Sequence, residues 1–458
     1  MNGVKKFSAK VNVSPLSIFL LLVVMGVLAG CGGQATPAPN EVAREEGVVI
    51  IEKEVEAKPP VEVVKESEKV IEVEKEVVVE REVELVATPI PTSPPVVVEQ
   101  RQAETLRAGA TDDNAQWDDY LAYRKNYRGP AVHDRDVNER YIIMVQDAQG
   151  YPVMDAMVRI FYNGQQQNAE IYQARTYANG RVLFHPRALG IYNGDADSFL
   201  VVVSKNNVVT KFTVPRNVWG DTWVAKLDMV QRFDAMNLDV LFLLDSTGSM
   251  ADEIDAIQRT IFSVSERIDQ LPGQTNVRFG YVTYRDRGDD YVSKIYDFDP
   301  DVSSFSSYLN VVQANGGGDY PESLNEALHH ALNRVHWGGE NTVRLVFLVA
   351  DAPPHLDYAQ DYDYADEMDV AARQAVKIFP IASSGLDDQG EYIFRQLAQH
   401  TQGRFVFLTY DTPSNGGSPG DVTTHHVDSY SVSNLDDLLV HLVTEELAYQ
   451  SPALVQAQ

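Results

Sequence analysis

Asp239-Val240-Leu241-Phe242-Leu243-Leu244-Asp245-Ser246-Thr247-Gly248-Ser249 is the stretch that decides the fold of this chain. From Val240 to Leu244 every side chain is apolar, which suits a strand covered on both faces of a parallel sheet. The run then stops in a short turn carrying one carboxylate and three hydroxyls. Working towards the C-terminus, further strand patterns fall at 277–284, 343–350, 376–382 and 404–408. Helical patterns at 250–270, 321–335, 364–375, 390–401 and 434–449 lie between and after them. Alternation of this kind predicts an α/β fold with a doubly wound, mostly parallel sheet over residues 233–449.

Working towards the N-terminus, the pattern changes twice. Residues 137–228 read as short strands, among them 141–145, 157–161, 199–203 and 211–214, and predict a small β-sandwich. Asn179-Gly180 between two extended runs predicts a hairpin, since both residues accept positive φ. The stretch Val145-Gln146-Asp147-Ala148-Gln149-Gly150-Tyr151-Pro152-Val153 resembles the immunoglobulin-like or carboxypeptidase-regulatory-like modules of secreted bacterial proteins. Residues 31–115 contain proline-rich ends around a Glu/Val/Lys tract. With no aromatic residue and no sustained heptad, this segment is expected to be a disordered, extended stalk.

At the start, Lys5, Lys6 and Lys10 precede an apolar run from Leu16 to Leu28, which closes on Leu28-Ala29-Gly30-Cys31. This resembles a bacterial lipoprotein signal peptide over residues 1–30. The resemblance implies a lipidated Cys31, palmitate or a similar chain, and a membrane-anchored, extracytoplasmic protein. Cys31 is the only cysteine, which excludes an intramolecular disulfide and a Cys-ligated zinc site. Lys plus Arg number 38 against 66 Asp plus Glu, for a net charge of −28. Such a balance argues against nucleic-acid binding and favours partners that are cations or basic surfaces.

Three loops leave the carboxyl ends of expected strands, where open α/β sheets collect their ligands. They are Asp245-Ser246-Thr247-Gly248-Ser249, Gly316-Gly317-Gly318-Asp319-Tyr320-Pro321-Glu322 and Asp351-Ala352-Pro353-Pro354-His355. Taken in order, these loops resemble the metal-ion-dependent adhesion site of the von Willebrand factor A family. The resemblance spans 233–449 and implies a divalent cation held by Asp245, Thr247, Ser249, Asp319 and Asp351. Mg²⁺ is the expected ion, with Mn²⁺ or Ca²⁺ as alternatives, because hydroxyls and carboxylates are hard oxygen donors. A protein ligand offering an acidic side chain is the partner so implied. Other roles compete for these residues. Asp245 and Asp351 could cap helices, and Asp319 with Glu322 could form an N-terminal cap pair.

Remaining motifs suggest less. Arg287-Gly288-Asp289 reads as a plain loop, and the Asp/Tyr alternation of 357–369 as a solvated rim. His329-His330 and His425-His426 are adjacent, not spaced by four as in a helical zinc motif. His355 is either a neighbour of the cation site or an ordinary loop histidine. No nucleophile-elbow or phosphate-binding loop is present. The function expected is therefore adhesion or protein binding by a surface lipoprotein, without catalysis; an envelope assembly or regulatory factor is the alternative.

Overall fold

A computed structural model describes residues 105–450 with short breaks at 163–168, 193–195, 217–219, 221, 234, 272–274 and 414–415, together with the backbone of 48–50. The signal peptide, Cys31 and most of the expected stalk lie outside the described residues. In chain order, the elements are β1 (Val48–Ile50), β2 (Arg107–Thr111), α1 (Trp117–Asn126), β3 (Tyr141–Gln146), β4 (Met157–Tyr162), β5 (Glu170–Arg175), β6 (Arg181–Phe184), β7 (Ser198–Lys205), β8 (Val208–Pro215) and β9 (Thr222–Lys226). They continue with β10 (Met236–Asp245), α2 (Ile254–Asp269), β11 (Thr275–Tyr284), β12 (Ser293–Asp299), α3 (Val302–Leu309), α4 (Leu324–Asn333), β13 (Thr342–Ala350), α5 (Tyr364–Gln374), β14 (Val376–Ala382), α6 (Asp388–His400), β15 (Phe405–Leu408), β16 (Ser431–Asn434) and α7 (Leu435–Ala448). Among the described residues, no helix is long and apolar enough to cross a membrane.

The main sheet has nine strands in the order β1-β12-β11-β10-β13-β14-β15-β2-β16. Strands β11, β10, β13, β14 and β15 run parallel to their neighbours in that series, as expected. β12 pairs antiparallel with β11, and β2 pairs antiparallel with both β15 and β16. At the centre, Leu238 and Val240 to Leu244 are fully buried. Their alternate side chains enter two cores, one on each face. Leu238, Val240, Phe242 and Leu244 pack towards α2, α3 and α7; Leu241 and Leu243 pack towards α4, α5 and α6. Burial on both faces explains why the strand carries no polar position between Val240 and Leu244. Where β10 begins, Asp239 is buried and takes two hydrogen bonds from Arg278, its register partner on β11, at 2.9 and 2.7 Å.

Two expectations need correcting. The stalk was placed through residue 115, but Arg107–Thr111 lies inside the main sheet between β15 and β16. Ala108 is fully buried, and a Cβ on Gly109 would stand 2.6 Å from the Phe407 ring. The strand is short and made of small residues because a large ring from its neighbour fills the space above it. The segment after it is tied down by a buried pair. Asp113, 2% exposed, accepts from Arg395 of α6 at Oδ2 and Oδ1 (3.0 and 2.6 Å), while burial pushes its carboxyl up against the pull of that guanidinium.

The second correction concerns Asn179-Gly180, which does not close a hairpin. β5 pairs with β4 in a four-stranded sheet (β5-β4-β7-β8), and β6 pairs with β3 in a three-stranded one (β6-β3-β9). The turn carries the chain from one sheet to the other. Gly180 has φ +73, and its carbonyl accepts from Val145 N at 2.8 Å, while any Cβ there would meet the Val145 carbonyl at 2.6 Å. The two sheets share one core built from Tyr141, Ile143, Val145, Phe184, Val158, Ile160, Phe199 and Val201. This β module docks on the main sheet through Asp155, whose buried carboxylate receives Arg344 at 3.1 Å.

Candidate metal centre

β10 ends at Asp245, opposite Tyr284 at the end of β11, and β13 ends beside it at Ala350. Asp245 and Asp351 therefore project from neighbouring strand ends at one edge of the sheet. Asp245 is fully buried. Its Oδ1 accepts from the backbone N–H and the hydroxyl of Thr247 at 2.9 and 2.7 Å, and the Thr247 hydroxyl lies 3.1 Å from that of Ser249. Neither acid caps a helix, because the helix after Asp351 is capped by Asp363.

The glycine loop is threaded between carboxylates. Gly316 N–H is held by the Asn315 side chain, and its carbonyl accepts from Gly248 N at 3.0 Å. Gly317 donates to Asp289 Oδ2 at 2.9 Å, so the Arg287-Gly288-Asp289 tripeptide is a brace for this loop. A Cβ on Gly317 would sit 2.6 Å from Glu322 Oε1 and 3.1 Å from Thr247 Cβ, at φ +70. Glu322 and Thr247 thus both stand against the bare Cα of Gly317. The Glu322 backbone N–H donates to Pro353 O at 3.0 Å and its carbonyl accepts from His355 N at 3.1 Å, which locks the second and third loops together.

The structure places Asp319 beside His355. Its side chain is 66% exposed and faces His355, not the Asp245 turn. It caps no helix either, since α4 starts at Leu324 with Ser323 at its cap position. Glu322 was visible in the loop motif, but its position between two glycines and the Asp245 turn follows from the path of the loop, which no local pattern encodes.

Three buried oxygens in this cluster make no hydrogen bond among the described residues: Asp245 Oδ2, Glu322 Oε2 and Asp351 Oδ1. Orphaned buried carboxylate oxygens are costly, and they point to a missing positive partner. Electrostatics agrees. Burial, then the charge of Asp351, pushes the Asp245 carboxyl up, and burial does the same to Asp351. Burial, with Asp245 next among the causes, pushes Glu322 up to about 9. The donors are all hard oxygens, carboxylates plus the Thr247 and Ser249 hydroxyls. That set fits Mg²⁺, Mn²⁺ or Ca²⁺ and offers nothing to a thiolate-seeking ion.

Residues 239–410 match the family model of the von Willebrand factor A domain. A von Willebrand factor A domain is present. Over 223 residues the chain is 22% identical to alpha-protein kinase vwkA of Dictyostelium discoideum, which covers 48% of this chain. The chain spans 34% of that kinase's length. Among solved structures it is similar to proximal thread matrix protein 1 from the mussel byssus, at 15% identity and a TM-score of 0.31, covering 47% of each chain. An aerotolerance-related membrane protein from Bacteroides fragilis is similar at 13% identity and a TM-score of 0.28, covering 36% of this chain and 89% of that one. The A domain's matched segment begins at Asp239 and includes all three loops of the candidate centre. Strand β2 lies outside it, although it belongs to the same sheet.

Proposed function

We propose that this protein is a non-enzymatic, surface-anchored lipoprotein whose A domain binds a protein ligand through a divalent cation, Mg²⁺ first. Asp245, Thr247, Ser249 and Asp351 are the residues assigned to hold the ion, with Glu322 in the place first given to Asp319. One observation carries the reading: three buried carboxylate oxygens, of Asp245, Glu322 and Asp351, stand on the three loops at the strand ends without a hydrogen bond among the described residues. When bound, the cation supplies a Lewis-acidic position for an acidic side chain of the partner. The chain's own residues prepare for this. Thr247 and Ser249 bring oxygens without charge, the glycine loop keeps Cβ atoms away from the centre, and Asp289 holds that loop in place. Sequence supports the anchor, through Leu28-Ala29-Gly30-Cys31 and the extended Glu/Val/Lys tract after it.

The test uses the whole chain in thermal melts with and without Mg²⁺. A cation at a hundred times its Kd adds about 2.7 kcal/mol, roughly 5–10 °C for a domain of this size. Wild type is expected to show that gain and Asp245→Asn to show none. Equal gains would move the cation elsewhere. A pull-down in Mg²⁺ that recovers the same proteins after chelation would remove the cation from ligand binding.

A further inference from the structure

Beside the Asp245 cluster, the same loops assemble a second group that the reading above does not use. Asp286 follows the end of β11, Asp319 comes from the glycine loop and His355 from the loop after β13. One ligating atom from each lies within 4.8 Å of the others. His355 is 2% exposed. Its Nδ1 lies 2.7 Å from Asp357 Oδ1, and Tyr358 stacks on its ring at 3.7 Å with 11° between the planes. Its Nε2 makes no hydrogen bond and faces Asp286 Oδ1 at 3.7 Å and Asp319 Oδ2 at 3.9 Å.

We infer that Asp286, Asp319 and His355 hold a divalent transition-metal ion, with Zn²⁺ the best-matched, at a site distinct from the Asp245 centre. An imidazole that donates Nδ1–H to Asp357 turns a lone pair at Nε2 towards two carboxylates. Two of these three electron-rich atoms are buried, and their grouping calls for a positive charge between them. Hydrogen bonds from a protonated ring would close to about 2.7–2.9 Å, and the gaps here are wider. They are close to what an ion requires. Bonds of about 2.0–2.1 Å in a tetrahedral shell place neighbouring ligand atoms about 3.4 Å apart. The remaining few tenths can come from Asp319, whose exposed side chain is free of packing.

The surroundings are those of a braced ligand set. Asp357 fixes the tautomer of His355, as carboxylates do behind metal-bound histidines. Ser323 donates to Asp286 Oδ1 at 2.8 Å and Tyr358 to its Oδ2 at 2.8 Å, so the carboxylate is oriented by two hydroxyls. The nitrogen donor separates this site from the all-oxygen centre next to it. Imidazole favours Zn²⁺ or a similar ion over Mg²⁺ and Ca²⁺. Because His355 N–H donates to the carbonyl of Glu322, an ion here also stiffens the loop that carries Glu322.

The experiment is a Zn²⁺ titration of the whole chain in excess Mg²⁺, against a chromophoric chelator, with Co²⁺ as the spectroscopic probe. Wild type and Asp245→Asn are expected to take up a tightly bound equivalent of Zn²⁺ and, with Co²⁺, to show the intense visible bands of a tetrahedral site with a nitrogen ligand. Asp319→Asn, at an exposed position that leaves folding intact, should weaken Zn²⁺ by about tenfold or more, and Asp357→Asn by about tenfold through the tautomer. His355→Gln should abolish the Co²⁺ bands, but it alters a buried residue, so the decision rests on Asp319→Asn. Unchanged Zn²⁺ affinity and unchanged Co²⁺ bands in Asp319→Asn would overturn the inference. So would a wild-type chain that takes up no Zn²⁺ in Mg²⁺, or a Zn²⁺ site lost in Asp245→Asn alone.

Discussion

Asp113→Ala tests whether residues 105–126 belong to the folded A domain sheet. In the structure Asp113 and Arg395 are both nearly sealed from water, with side chains 2% and 4% exposed, and they meet through two hydrogen bonds across 282 residues of chain. Removing one partner of a buried ion pair costs about 3–5 kcal/mol, because the other charge is left without compensation. Arg395 keeps some help. It still donates to His426 O at 2.7 Å, approaches Glu391 at 3.4 Å and lies 3.8 Å from the Tyr123 ring centre. That places the expected loss at the low end, about 3 kcal/mol. Urea unfolding of the whole chain measures it, with hydrogen exchange reporting on the amides of β2 and α1. The double variant Asp113→Leu/Arg395→Met, which removes both charges and keeps volume, should recover most of the loss. A loss below about 1 kcal/mol, with β2 amides exchanging no faster, would refute the docking of this segment.

Three further outcomes are expected. Gly317→Ala should lower stability by about 1–2 kcal/mol from its left-handed backbone alone and remove the Mg²⁺-dependent gain, whereas Gly318→Ala, with open space at its Cβ, should leave both unchanged; thermal melts decide. Burial holds His330 down at about 4, below its free value, so its contribution is full above pH 6.5 and is lost as pH falls towards 4. The difference in unfolding free energy from urea titration between wild type and His330→Gln should therefore shrink over that window by about 3 kcal/mol, and a constant difference would refute it. Burial works against the Glu391 carboxylate, but hydrogen bonds from His425 and His426 overcome it and hold the group at about 2. Its stabilisation, present above about pH 4.5, should be lost as pH falls towards 2; Glu391→Gln should flatten the wild-type acid limb there.

The centre of the sheet was legible because its signals are local. A strand buried on both faces must be apolar there, and β10 is from Val240 to Leu244. The turn after it must carry its oxygens on alternate residues, and Asp245, Thr247 and Ser249 do. The edges were not legible. β12 reads Ser-Lys-Ile-Tyr-Asp-Phe-Asp and β2 Arg-Ala-Gly-Ala-Thr, patterns that become strands only when a neighbour supplies the hydrogen bonds and, for β2, the Phe407 ring. Asn179-Gly180 has the right chemistry for a tight turn, yet which strands it joins depends on where Val145 and Pro152 stand. Glu322 and Asp319 are three residues apart in one loop. Only the left-handed bends at Gly316 and Gly317 determine that the first faces the Asp245 turn and the second faces His355.

Strand β2 also governs how the molecule answers to tension. A pull on the chain between β1 and Arg107 reaches β2 before the β module, since that module is connected only beyond α1. The load falls on the hydrogen-bond ladders that tie β2 to β15 on one side and β16 on the other, four register pairs in each. Between β2 and the Asp245 turn on β10 stand β15, β14 and β13. The sheet thus has a sacrificial margin: force applied at β2 loads that strand and its edge partner β16 before it deforms the loops around Asp245, and the β module, spliced into the chain between α1 and β10, is mechanically shielded behind it.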